Sequence, residues 1–445
     1  MTTSSLRSLA IGLLLICLAL PMGAQTDLRF DHLTMDDGLS ESIVLSIAQD
    51  PDGYAWFGTA DGLNRYDGAS IRTFHGDPSD STTLSHNYVQ RLFVDRRGRL
   101  WAASLGGLDL YDPAHESFHR VALLGNRATV AVYGIAESPR DSALWLATDA
   151  GLFEYHPDRG VTRRFRAEPE SSTGLRVANM TCCSFDRDGR LWIGSRDNGL
   201  DLFDPATEKA RHFARSDQGL SSNFIQVVHQ DRNGVFWIGT EGGGLDRFDA
   251  ATGTFRQYKN VPGALGSLGH NTVRSILEDR DGRLWIATDG GGIARYDTAT
   301  DAFLHVRHEP LRTTSLANDR ITALFQDRAG ALWAGTWGNG VDRWSPSKDK
   351  FRNDPRLKPL VDALPSTFII SLFEDSRGTL WVGTHGGGFL VYLLGLRPAI
   401  QVLVHRGQPQ QRIGVARVER DQRAAAVAKQ RLDQRLQLDC RSQHP

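Results

Sequence analysis

The sequence predicts an all-β fold: a β-propeller of four-stranded blades, seven of them closing the ring, followed by an irregular C-terminal tail. Three observations carry this. Tryptophan recurs at 56, 101, 145, 192, 237, 285, 333 and 381, at intervals of 44–48 residues. Each of these residues sits in one phrase, D-x-x-G-x-ϕ-W-ϕ-G/A-T/S, which runs on into G-ϕ-x-x-aromatic-D. Helical periodicity is missing from 28 to 393.

Each copy carries four strand signals. In the fifth, Asn223–Gln230 is apolar and β-branched, and 235–240 follows a tight D-x-x-G turn. Residues 245–249 and 254–259 then alternate, with Gly, Asp and Asn punctuating the turns. One four-stranded sheet cannot bury both faces, but blades stacked around an axis bury them. Trp56, Trp101, Trp145, Trp192, Trp237, Trp285, Trp333 and Trp381 are therefore assigned to the gap between neighbouring blades. Trp337 and Trp344 lie off that register. The third copy is the most divergent and lacks the turn glycine. Glycine is 45 of 445 residues, above the usual ~7%, because one serves most D-x-x-G turns and one to three more precede the third strand.

Leu28–Leu33 reads as a lone outer strand that completes the ring by pairing with the last blade. After the seventh copy the pattern loosens: Ser345 replaces the usual Asp, and 355–365 lacks the L-S-x-N join that precedes inner strands. The propeller is accordingly placed at 26–365, with 366–393 as an eighth repeat that begins a second ring. An eight-bladed ring, with the eighth copy borrowing the N-terminal strand, is the alternative. Residues 394–445 form a basic tail, disordered or read from a shifted frame. Its segment 411–438 has the pattern of a basic amphipathic helix.

Residues 1–25 have the layout of a secretory signal peptide: Arg7, a 12-residue apolar run from Leu9 to Leu20, then Pro21, Gly23 and Ala24. That run is short for a ~30 Å hydrocarbon core. The expectation is a mature chain that is periplasmic or secreted, without a membrane span. Lys+Arg 51 against Asp+Glu 52 gives no overall attraction to nucleic acid. Cys182, Cys183 and Cys440 make neither a disulfide framework nor a metal spacing. The adjacent pair falls on a strand where the next repeat has Val227 and Val228, so it reads as buried filler.

The joins into the inner strands and the loops between second and third strands share one face of a propeller. The first set supplies His86, Asn87, Asn223, His270, Asn271, Asn318 and Asp319; the second supplies Glu241, Asp289, Trp337 and Asn339. Polar groups converging on one face, with a tryptophan, suit a small polar ligand, an oligosaccharide among them. Recurrent Asn before an inner strand also satisfies loop backbone, and its recurrence favours that structural role. The D-x-D-G sequences at 50–53, 186–189 and 279–282 are hairpin turns: a calcium loop needs more acids and a Glu at position 12. No catalytic set assembles from H-E-x-x-H, G-x-S-x-G or a P-loop, so neither enzyme chemistry nor a cofactor or metal is expected.

The wording DRDGRLWIATDGGGIARYD at 279–297, with L-S-x-N upstream, resembles the two-component regulator propeller repeats. The resemblance covers about 28–393. It implies the periplasmic sensor region of a hybrid histidine kinase or diguanylate cyclase, usually two seven-bladed rings, and a homodimer. This sequence carries no phosphoacceptor His box, ATP-binding motif or membrane span, so the output module is missing from it. Two other functions compete. A propeller enzyme of the streptogramin-lyase kind predicts a His/Glu/Asp cluster without counterparts in other copies, with His270 and Glu241 as nearest candidates. A protein-interaction scaffold predicts a broad apolar or charged face.

Overall fold

The computed structural model describes residues 28–125, 129–168, 170–171 and 173–346, and the backbone of five later strands. Residues 28–346 form a seven-bladed β-propeller. Each blade is a four-stranded antiparallel sheet whose strands are called a to d from the axis outward. Blade 1 shows the plan: Val44–Gln49, Ala55–Thr59, Gly62–Tyr66 and Ile71–Phe74. The a strands of blades 2 to 7 are Val89–Val94, Val132–Glu137, Met180–Phe185, Ile225–Gln230, Val273–Glu278 and Ile321–Gln326. Each a strand packs beside the next, and that of blade 7 returns to that of blade 1.

Closure uses the N-terminal strand. Phe30–Leu33 pairs antiparallel with Val341–Trp344 as strand d of blade 7, matching Phe30 to Trp344 and Leu33 to Val341. The eight-bladed alternative is thereby excluded, because the strand it would borrow is already used.

The second unit, residues 351–445, is described by itself. Ile369–Glu374, Thr379–Thr384, Gly388–Leu393, Gln401–Leu403 and Val415–Arg417 form one five-stranded sheet. The first three are the eighth copy, and Trp381 lies on the second of them. Where the sequence suggested a helix over 411–438, residues 415–417 instead pair with 401–403. The rest of that segment, the leader and Cys440 lie outside the described residues.

The tryptophans bind blade to blade. All seven in the ring are at most 3% exposed. Each packs on the aromatic residue of strand c in the next blade: Trp56 on Tyr111 at 4.7 Å, Trp237 on Tyr296 at 4.9 Å, and Trp333 back onto Tyr66 at 6.1 Å. Trp344 is that strand-c aromatic for blade 7, 6.3 Å from Trp285. The leading Asp of the repeat also has a reason. Asp50, Asp95, Asp231, Asp279 and Asp327 each accept the indole N–H of the tryptophan six residues on, at 2.7–3.0 Å. Blade 4 departs from this: the Trp192 Nε1 is buried without a partner.

The opposite face is belted by the Arg that follows this Asp. Arg187, Arg232, Arg280 and Arg328 each donate to a backbone carbonyl in the turn of the next blade. Their own N–H groups donate to Gln230, Glu278, Gln326 and Gln49, the last residues of the neighbouring a strands. Before strand c, Gly244 (φ +99°) and Gly340 (φ +75°) take left-handed backbone, and a Cβ there would lie 2.2 and 2.1 Å from the carbonyls of Tyr258 and Leu33. Cys182 and Cys183 are free thiols on strand a of blade 4, and Cys182 holds the register position of Val227. Burial pushes both thiols up, Cys183 to about 12, as filler requires.

A buried acid locks the joins. Asp109 on strand c accepts the N–H and hydroxyl of Ser85 at 3.0 and 2.7 Å, and Asp246 does the same for Ser221. In both, the other carboxylate oxygen is buried without a partner. Burial dominates over those bonds and raises each to about 6. The folded state therefore holds these protons more tightly than the unfolded chain, so stability falls as pH rises from about 4 to about 6. Blade 1 has Asn64 in this place, and its amide donates to Ser40 Oγ and the Phe57 carbonyl. Asp109→Asn and Asp246→Asn should melt like wild type at pH 4. At pH 7 each should melt higher, by a free energy on the order of 2 kcal/mol. Melting curves across pH 4–8 check this; an advantage that does not grow with pH overturns it.

Candidate functional site

The site-bearing face is built by three positions in every blade. The first is the residue just before strand a, and the second is the residue just after strand b. A backbone hydrogen bond joins them in all seven blades, for example Ala60 N–H to Ile43 O and Glu241 N–H to Phe224 O. The third is residue 2 of strand a, where the ladder to strand b shifts register in every blade. Such a bulge leaves one residue unpaired, and here it is Leu45, Gln90, Tyr133, Thr181, Gln226, Arg274 and Thr322. Three of these tie neighbours together: Gln90 donates to Val132 O, Thr181 to Ile225 O, and Thr322 to Val44 O.

Seven of the eleven candidates from the sequence are engaged in the loops themselves. His86 and His270 each accept through Nδ1 the N–H two residues on, and Asn318 does so through Oδ1. Asn87, Asn223, Asn271 and Asp319 accept, through Oδ1, an N–H at the start of their own d-to-a connection, those of Gly76, Arg215, Asn260 and His308. Their backbone carbonyls accept the N–H of Gly62, Gly199, Gly244 and Gly292 from the preceding blade. Recurrence at these positions thus follows from a shared loop geometry. Asn339 is exposed and accepts from Asn318 at 2.8 Å.

The remaining three, Glu241, Asp289 and Trp337, are the after-strand-b residues of blades 5, 6 and 7. Two arginines that the sequence reading did not single out join them. Arg274 bridges Glu241 (3.2 Å) and Asp289 (2.6 Å). Arg320 donates to the other oxygen of Asp289 at 2.6 Å, and its guanidinium lies 5.1 Å from the Trp337 ring centre. Gln226 completes the arc with a 2.9 Å bond to Glu241. Burial acts to raise the Asp289 carboxyl, but the bonds from Arg320 and Arg274 outweigh it and hold it below the usual range. The signal for Arg274 and Arg320 was present, since residue 2 and the residue before strand a vary among copies that otherwise repeat. Only the bulge and the ring show that these positions face the same space.

The ring also has cavities away from this face. Two of about 490 and 410 Å³ open on the opposite face, at turns and hairpins of blades 5 and 6. Their linings are turn and strand residues of the repeat, among them Asp231 and Trp237, which bond to each other. Asp141, Glu154 and His156 bring ligand atoms within 4.8 Å of one another. Both Glu154 oxygens are held by Arg163 at 2.6 and 2.9 Å, so that carboxylate is already committed to an ion pair.

The geometry now meets the known proteins. The model of the two-component regulator propeller matches residues 38–61, 83–106, 219–242, 267–290, 315–338 and 363–386. Each of the first five matches spans a join, strands a and b, and the start of the next loop. The chain carries six matches to the two-component regulator propeller repeat. Over 69 residues it is 44% identical to histidine kinase P4 of Formosa agariphila, which is 15% of this chain and 5% of that kinase. Its fold matches the extracellular domain assigned to a hybrid two-component system of B. thetaiotaomicron, with a TM-score of 0.62 and 28% identity. That match covers 84% of this chain and 49% of the other, so the propeller-repeat chain spans about half the length of that relative. Virginiamycin B lyase from Staphylococcus aureus shares the fold alone: TM-score 0.52, 14% identity, 72% of this chain and 99% of the lyase. Among the described residues, no helix is long and apolar enough to cross a membrane.

Proposed function

We propose that this ring is the extracytoplasmic, ligand-sensing part of a two-component-type signalling protein and that it binds a polar, glycan-like small molecule at the mouth. The carrying observation is the arc of Glu241, Arg274, Asp289, Arg320 and Trp337, contributed by three adjacent blades. Alternating carboxylates and guanidiniums offer fixed acceptors and donors to a hydroxyl-rich ligand, and Trp337 offers a flat apolar surface. The sensor assignments of relatives that share the repeats support the same reading, as does the leader-like segment at the N-terminus. Catalysis is not part of it. His270 and Glu241, the nearest enzyme candidates, are each bonded elsewhere, His270 to the Thr272 N–H and Glu241 to Gln226 and Arg274.

Thermal shift of the full chain against fragments of envelope and plant polysaccharides tests this. At least one fragment should raise the midpoint by a few degrees, since ligand at 100 times Kd adds about 2.7 kcal/mol. Asp289→Asn and Trp337→Ala should fold normally and lose that shift. A chain that no fragment stabilises ends the glycan reading.

A further inference from the structure

Two arcs of the mouth differ in kind, although all seven blades share one backbone geometry there. Blades 5 to 7 present the charged arc. Blade 1 presents Ile43, Leu45 and Ala60 from the same positions, and blade 2 presents Tyr88 and Leu105, its Gln90 being turned to the Val132 carbonyl of blade 3. Leu105 is 38% exposed, and the other four are half-buried. Nothing in the blade plan demands apolar residues here. The same three positions carry Asn179, Arg196 and Thr181 in blade 4. An apolar side chain that the fold does not need, turned toward a solvent-filled mouth, loses free energy unless something covers it.

The arcs meet at one end and face each other across the opening. Trp337 of blade 7 pairs through its backbone with Ile43 of blade 1, so the tryptophan continues directly into the apolar arc. Tyr88 of blade 2 stands opposite Arg274 of blade 6. Burial raises the Tyr88 phenol, and the Arg274 charge opposes that rise, which places the two within electrostatic reach across the ring.

Resting on the proposed sensing role of this mouth, we infer that its ligand is amphipathic: a hydroxyl-rich group held on the arc of blades 5 to 7, and an aromatic or alkyl group covered by Ile43, Leu45, Tyr88 and Leu105. An aryl-substituted sugar is the simplest member of that class. A purely hydrophilic oligosaccharide would leave the apolar arc of blades 1 and 2 uncovered.

Matched methyl and 4-nitrophenyl β-glycopyranosides of glucose, galactose, mannose and xylose serve as probes, titrated calorimetrically into the full chain. Wherever a pair binds, the aryl member should bind at least tenfold tighter. Leu105→Asp, at an exposed position, should keep the wild-type melting temperature. It should erase the aryl advantage and leave the methyl glycoside unchanged, whereas Asp289→Asn should weaken both members. Equal binding within pairs overturns the amphipathic inference and leaves the sugar reading standing. An aryl advantage that survives Leu105→Asp also overturns it, by placing the aryl group elsewhere. Absence of binding by every probe overturns both.

Discussion

A chain that begins at Thr34 will fail to close its ring. Removing Phe30–Leu33 deletes strand d of blade 7 and strips the pairing from Val341–Trp344. Leu28 and Phe30, 7% and 3% exposed, leave a core cluster that also holds Trp285, Trp344 and Leu332. Each such side chain is worth ~1.5–3 kcal/mol of burial. His32 is lost as well. Its Nδ1 lies 2.6 Å from Asp342, which is fully buried. Without that partner, the buried acid is left with the Ala317 N–H at 2.9 Å. These losses together are comparable with the whole stability of an ordinary domain, ~5–15 kcal/mol. Near-ultraviolet circular dichroism should show loss of the tryptophan signal, and gel filtration should show association through the unpaired edge. A truncated monomer that melts cooperatively at the wild-type temperature would show that closure does not depend on this strand.

The second large effect is expected at the blade seams. Trp101→Ala removes a fully buried side chain packed on Tyr155 at 5.9 Å and leaves a void between blades 2 and 3. The expected cost is ~3–5 kcal/mol. Because every blade is held by both neighbours in a closed ring, the whole ring should unfold at the lower midpoint in one transition. The conservative change separates packing from hydrogen bonding. Trp101→Phe also strips a 2.9 Å indole bond from buried Asp95, whereas Trp192→Phe strips none, because the Trp192 Nε1 has no partner. Chemical denaturation should therefore find Trp101→Phe the more destabilising by about 1–3 kcal/mol. Equal losses would mean that the Asp–indole bond adds nothing to stability.

Much of this molecule is legible in the chain because a repeat reports its own geometry. Eight copies of one phrase put each tryptophan on strand b, and the alternation beside it gave strands within a residue or so of those observed. The loosening after Ser345 favoured seven blades, and the pairing of Phe30–Leu33 with Val341–Trp344 excluded the eight-bladed alternative. The candidate site was less legible. Asn87, Asn223, Asn271 and Asp319 looked like ligand groups because they are polar and convergent, but recurrence at matching positions fits the loop latch that they form. The positions free of that duty are those that differ between copies. Arg274 was passed over because it lies inside a strand pattern. A bulge adds one residue to the count, and no period-2 reading reveals which residue it turns outward.

Sequence alone determined the repeating unit and its seams, since those depend on contacts between residues held at fixed offsets in consecutive blades. The tertiary structure alone decided what the mouth is. Glu241, Arg274, Asp289 and Arg320 come from three blades, and Tyr88 stands opposite Arg274 although 186 positions separate them in the chain. Closing a ring turns separation along the chain into an angle around an axis. Charge, aromatic surface and apolar surface can be assigned to one ligand only after that closure sets them on a common rim.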